Sequence, residues 1–230
     1  GNWQYKINKG LQDLPQLEKA KILSTIKGVD KKKEKIRKLY HYLQDQTRYI
    51  NISIETGGLK PYPASYVSNN KYGDCKALTN YFKSILKYSG IPAYYTKVSA
   101  GSPISEINKQ LPSQQFNHVI LYIPLMNDTL WLDCTSKGPF NYLGTFTQNR
   151  EALVIKKDHS HFVKTPALKP SDVVETKKMT VSQDDEGVAR VNLQSVYRGD
   201  EFEDLKYLSR SYDETIQRQV IQNEFLPRSL

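Results

Sequence analysis

The chain has 230 residues, 33 Lys and Arg against 24 Asp and Glu, 38% hydrophobic residues and two cysteines. That length buries a core without a disulfide framework or structural metal, and the sixteen tyrosines and 11% aromatics exclude a disordered polymer. No run approaches the ~20 consecutive apolar residues of a membrane span, and no charged-then-apolar leader is visible. The net charge of +9 is unevenly spread: residues 1–170 carry +13 and residues 171–230 carry −4. Much of the excess lies in the run from Asp30 to Lys38, where Ile36, Leu39, Tyr40 and Leu43 fall at helical spacing and the lysines take the other side. A solvated helix face explains that pattern, and no nucleic-acid-binding signature accompanies it.

In chain order, Gly1 reads as a remnant of expression, and Trp3, Tyr5 and Ile7 alternate like a strand continuing something longer. Leu14 to Ile26 reads as a helix ended by Gly28, and Asp30 opens the basic helix, which runs to about Gln46. Tyr49, Ile50, Ile52 and Ile54 suggest a brief extended piece. Gly57-Gly58, Pro61, Pro63 and Asn69-Asn70 then mark a long ordered loop, of a length usually kept for function. A helix begins at Cys75, with Leu78, Phe82, Ile85 and Leu86 on one face, and stops at Gly90 and Pro92. Strands follow at Ala93 to Ser99, Phe116 to Pro124, Thr129 to Thr135 and Leu153 to Ile155, with a polar, flap-like insertion from Ala100 to Gln115. Pro166 and Pro170 read as a linker. Lys178 to Ser182 and Val188 to Tyr197 flank a hairpin signal at Asp184-Asp185-Glu186-Gly187, and residues 201–224 read as helical. No internal repeat is present.

The chemistry concentrates in the order Cys75, His118, Asp133. Cys75 follows Tyr72-Gly73-Asp74 and opens a helix, where unpaired N–H groups and the positive end of the macrodipole favour a thiolate nucleophile. His118 lies in the apolar strand Phe116 to Leu121 and requires a partner. A hairpin centred between Leu125 and Met126 would put Asp133 directly opposite His118 on one sheet face. A turn centred one residue later, a shift that Asn127-Asp128 could support, would break that pairing. In the first register the three form the orienter, base and nucleophile of a triad. A disulfide between Cys75 and Cys134 is the competing reading, although alternation turns Cys134 away from Asp133. His159 and His161, with one residue between them on a strand face, are too few for a metal site, so no metal or cofactor is expected. Tyr62, Tyr66, Tyr72, Tyr94 and Tyr95 fit a substrate groove or ordinary packing equally.

Four strings, Tyr72-Gly73-Asp74-Cys75-Lys76-Ala77-Leu78, Gly90-Ile91-Pro92-Ala93, Phe116-Asn117-His118-Val119 and Trp131-Leu132-Asp133-Cys134-Thr135, resemble the transglutaminase-like superfamily in order and spacing over residues 15–170. Gly57-Gly58 with Pro61 to Ala64 resembles the branch found as the central domain of exported bacterial proteins. The resemblance implies an α+β, papain-like cysteine protease fold, with the Cys-bearing helix packed on an antiparallel sheet that bears His and Asp. It implies a transglutaminase-like catalytic domain over 1–170, with Cys75, His118 and Asp133 as the catalytic triad, and the start of a truncated β-rich domain over 171–230. Asn69, six residues before Cys75 where papain-like enzymes place a Gln, is an oxyanion candidate, with Asn70 and Tyr72. The implied activity is cysteine-dependent acyl transfer on amide bonds, by hydrolysis of a peptide or protein substrate. The alternative is a non-catalytic cell-envelope module that binds peptide or glycan. The implied setting is the periplasm or cell surface, with flanking β-rich domains of the same protein as neighbours and no nucleic-acid partner.

Overall fold

A computed structural model describes residues 1–51, 58–111 and 113–225. Ile52, Ile54 and Gly57 of the sequence reading lie outside the described residues. The chain divides into two compact units, Gly1–Pro166 and Ala167–Leu230.

In the first unit, α1 (Asn2–Asn8), α2 (Gln16–Ile26), α3 (Lys32–Gln46), α4 (Ala64–Asn70) and α5 (Cys75–Tyr88) precede a five-stranded antiparallel sheet. Its strands are β3 (Tyr94–Val98), β4 (His118–Pro124), β5 (Thr129–Leu132), β6 (Glu151–Val154) and β7 (His161–Lys164), in the order β5-β4-β3-β6-β7. A short helix, α6 (Gly144–Thr147), lies between β5 and β6. The arrangement is α+β, as expected. The basic helix α3 buries Ile36, Leu39, Tyr40 and Leu43, the residues its spacing selected, and leaves its lysines in water.

Helix α5 is buried almost all round: Leu78, Tyr81, Phe82, Ile85 and Leu86 join α2, α3 and the Leu121, Ile123, Leu130 and Leu132 face of the sheet in the main core. The opposite sheet face carries a smaller cluster of Val98, Ile120, Trp131 and Ala152. The site forms at the end of the sheet nearest the start of α5, where Cys75, Tyr95, Val119 and Ile155 pack together.

Two segments differ from the sequence reading. Residues 2–8 form helix α1 rather than a strand, burying Gln4 and Asn8, one turn apart and joined by a 2.9 Å hydrogen bond. The long loop before Cys75 contains α4, which begins after Pro63 and ends at Lys71 in the left-handed region (φ 62°). Prolines tolerated at a helix start and asparagines at its end produce the same local signal as a loop. After α4, β2 (Tyr72–Gly73) pairs in parallel with β1 (Arg48–Tyr49) and delivers the chain to Cys75. A Cβ on Gly73 would stand 2.9 Å from the Ala77 Cβ and 3.4 Å from Val67 Cγ2, both in the core. Gly73→Ala should therefore destabilise the unit by about 1–3 kcal/mol, as overpacking does, measured as a shift in the denaturation midpoint.

The second unit has two ten-residue strands, β8 (Val174–Gln183) and β9 (Ala189–Arg198), in continuous register from Val174↔Arg198 to Gln183↔Ala189. Its turn is closed by Asp184, whose side chain accepts from Val188 N at 2.8 Å, and by Gly187 at φ +85°. Helices α7 (Asp200–Ser211) and α8 (Glu214–Val220) follow, then a π-helical turn over Ile221–Phe225.

Candidate active site

Asp74 caps α5, its Oδ1 accepting from Ala77 N at 2.8 Å and its other oxygen pairing with Lys76. The helix therefore starts at a fixed point, and Cys75 is its first residue. Cys75 is 8% exposed and lines a narrow cavity of about 80 Å³ together with His118, Lys76, Tyr95, Lys97, Gln114 and others. Cys75 and Cys134 are both free thiols, so the disulfide reading is set aside. Cys134 faces the main core, where burial and then the charge of Asp133 push its thiol well above the ordinary range.

His118 opens β4, and its Nε2 stands 2.9 Å from Asp133 Oδ2, both side chains buried. Cys75 and His118 line the same cavity, and with Nε2 taken by Asp133 the Nδ1 nitrogen is the one left for another partner. The three residues singled out from the sequence thus meet at one place. They do so in a different register: β4 and β5 pair as Leu121↔Leu132 and Tyr122↔Trp131, with the turn at Leu125–Asp128 closed by Leu125 N to Asp128 O at 2.8 Å. The turn is centred one residue later than the arithmetic that placed Asp133 opposite His118. That shift moves the position opposite His118 two residues along the partner strand. A two-residue shift preserves the face, so Asp133 approaches His118 as a diagonal neighbour.

The carboxylate is anchored by a residue the sequence reading passed over. Thr135 donates twice to Asp133 Oδ1, from its backbone N at 2.9 Å and its hydroxyl at 2.7 Å, which frees Oδ2 for the imidazole. Tyr40 donates its hydroxyl to the Asp133 carbonyl at 2.9 Å, linking α3 to the same turn. The edge of Phe146 meets the His118 ring, centroids 5.2 Å apart. Asn117 holds the backbone entering β4 by a two-way amide contact with Ala100 at 2.7 and 2.9 Å. The string Asp133-Cys134-Thr135 offered a weak signal for this turn, since a Thr two residues after an Asp suits such a closure.

Burial alone would lower the pKa of His118. The charge and hydrogen bond of Asp133, then Cys75, overcome it and raise the imidazole to about 10. Burial would raise the pKa of Asp133, but the imidazole and the two Thr135 bonds hold the carboxyl below its usual range. The pair therefore rests as imidazolium and carboxylate at neutral pH.

The proposed oxyanion residues are placed elsewhere. Asn69 is exposed on α4, and neither it nor Tyr72 is among the described residues lining the cavity at Cys75. The Tyr72 hydroxyl is engaged by that of Tyr66 at 2.9 Å, and the Asn70 amide donates to Tyr66 O at 2.8 Å. The backbone N–H of Cys75, at a helix start where N–H groups lack intrahelical acceptors, remains the donor that geometry offers.

Comparison with known proteins agrees with this frame. Residues 20–123 match the model of the transglutaminase-like superfamily; the match contains Cys75 and His118 and ends before Asp133. A solved structure of a candidate protease from Parabacteroides distasonis superposes with a TM-score of 0.52 at 14% identity, covering 72% of this chain and 31% of that one. A candidate cysteine protease from Cytophaga hutchinsonii gives a TM-score of 0.42 at 10% identity, covering 81% of this chain and 54% of that one. The chain thus spans well under two thirds of either neighbour, and at such identity the first likeness is one of fold. No curated protein matches the sequence. No helix among the described residues is long and apolar enough to cross a membrane.

Proposed function

We propose that the first unit is a cysteine-dependent hydrolase of peptide amide bonds, with Cys75 as nucleophile, His118 as proton carrier and Asp133 as its orienter. The observation that carries this reading is the His118 imidazole held by Asp133 at 2.9 Å while His118 and Cys75 line one cavity. The Cys75 sulfur attacks the carbonyl carbon, and the developing oxyanion meets the N–H at the start of α5. The C–N bond breaks as His118 gives its proton to the departing amine, leaving a thioester on Cys75. The neutral imidazole then takes a proton from water, which attacks the thioester and releases the acid. An amine in place of water would make the same site a transglutaminase.

Incubation with a mixture of short peptides, followed by intact-mass measurement after acid quenching, tests the reading. An acyl adduct on Cys75, absent in Cys75→Ala, is the expected result. No adduct, together with alkylation of Cys75 no faster than that of a free cysteine and unaltered by His118→Ala, would replace it with a binding module of the same fold.

We further propose that residues 171–230 belong to a separate β-rich domain, a reading supported by the long hairpin of β8 and β9. The pairs Met179↔Leu193 and Val181↔Val191 share one face of the hairpin, with Met179, Val181 and Val191 exposed.

A further inference from the structure

Lys97 lies on β3 opposite Val119, so its side chain shares the sheet face of the Cys75 cluster. It is 8% exposed, and its ammonium donates to Gln114 Oε1 at 2.7 Å and to Gln4 Oε1 at 3.4 Å, above the Phe116 ring. Both acceptors are neutral amides, and among the described residues no carboxylate lies within 4 Å of it. Burying a cation costs several kcal/mol unless an anion compensates it. Burial, then the neighbouring charge of Lys76, lower its pKa, the direction expected of a cation lacking its counter-ion.

The position of this charge gives it meaning. Lys97 lines the narrow cavity holding Cys75 and His118, and also a wider cleft of about 500 Å³ that shares Gln4, Leu59, Gln114 and Phe116 with it. Two further lysines line these spaces, but Lys76 is paired with Asp74 and Lys109 with Glu151 at 2.9 Å. No described residue lining either space is acidic. The two glutamines orient the ammonium without neutralising it, as a preformed anion subsite requires.

We infer that Lys97 is a specificity-determining residue that takes a carboxylate of the peptide substrate, so that the site prefers peptides bearing an acid close to the bond attacked by Cys75. The inference rests on Cys75 being the nucleophile. The carboxylate could belong to an acidic side chain or to the peptide's own C-terminus.

Three alkylating probes separate these cases: bromoacetyl-Glu-amide with a side-chain carboxylate, bromoacetyl-Gln with a terminal one, and the neutral bromoacetyl-Gln-amide. Each reacts by displacement of bromide to form a thioether on Cys75, read as a second-order rate by mass spectrometry. At least one acidic probe should alkylate Cys75 about tenfold faster than the neutral one, as one charge-assisted contact allows. The faster acid identifies the source of the carboxylate. Lys97→Met should abolish the preference, and Lys97→Arg, which keeps the charge, should retain much of it; a residue serving only packing would move neither ratio. Equal rates for all three probes on the wild-type protein, or a preference that survives Lys97→Met, would overturn the carboxylate subsite alone. If no probe outpaces its reaction with a free thiol, the nucleophile reading fails and the subsite falls with it.

Discussion

Asp133→Asn is expected to cut peptide turnover by about 10³- to 10⁴-fold, an effect of the size seen when a triad loses the group that fixes its imidazole. Asn at 133 keeps an oxygen that can accept from Thr135, so the turn should persist. The amide NH₂ would then face His118 Nε2 and require that nitrogen to accept. The ring would carry its proton on Nδ1, toward Cys75, and could not take one from that side. The same change alters the pH dependence of stability. In the wild type the folded pKa of His118 is raised to about 10 from an ordinary value of about 6.5. Its contribution is therefore fully present below about pH 6.5 and is lost as pH rises toward 10. Asp133, held below its ordinary range, contributes above about pH 4 and loses that contribution as the pH falls. The stability difference between wild type and Asp133→Asn should thus be widest between about pH 4 and 6.5 and narrow on either side. Denaturation midpoints across pH 3–10, with turnover measured in parallel, check both parts. A difference that is flat with pH would show that the carboxylate does not govern the imidazole.

The legible and illegible parts of this molecule divide by the range of the interactions that decide them. The start of α5 was readable because Gly73, Asp74 and the apolar period that follows are all local; that Asp74 caps the helix is a finding of the structure. The choice of His118 followed from an imidazole in an apolar strand, a local conflict that only a distant partner resolves. The strand register was not fixed by that logic, since Leu125 to Asp128 supports two turn centres that differ by one residue. Helix α1 was hidden for another reason: its buried positions are Gln4 and Asn8, so hydrophobic periodicity carries no record of its inner face, while Trp3, Tyr5 and Ile7 imitate a strand. Lys97 was equally silent. A lysine in a strand reads as solvent-facing until Gln4 and Gln114, from distant parts of the chain, close around it.

Glu18→Ala should destabilise the first unit by about 3–5 kcal/mol, because it removes a buried charge on which four elements converge. Glu18 is 3% exposed on α2. Its Oε1 accepts the hydroxyls of Tyr81 on α5 at 2.6 Å and Tyr42 on α3 at 2.7 Å, and its Oε2 accepts from Ser68 on α4 at 2.9 Å, with Lys71 at 3.4 Å. Burial would raise this carboxyl's pKa, but the bonds from Tyr81, Tyr42 and Ser68 and the charge of Lys71 prevail and lower it. Alanine would leave these donors facing a void, each buried one unsatisfied. Glu18→Gln retains an acceptor for the two tyrosines but turns an NH₂ toward Ser68 and Lys71, so a smaller loss of about 1–2 kcal/mol is expected. Because the folded carboxyl titrates below its unfolded counterpart, its contribution is present above about pH 4.3 and is lost as pH falls further. Chemical denaturation at pH 7 and pH 3 tests this directly: the gap between wild type and Glu18→Ala should shrink in acid, and a gap under 1 kcal/mol at pH 7 would show that the cluster is incidental. The same cluster bears on catalysis, since Ser68 and Tyr81 belong to the helices on either side of the Tyr72–Gly73 strand that delivers Cys75. A variant that loosens α4 from α5 should therefore slow alkylation of Cys75 even under conditions where the unit remains folded.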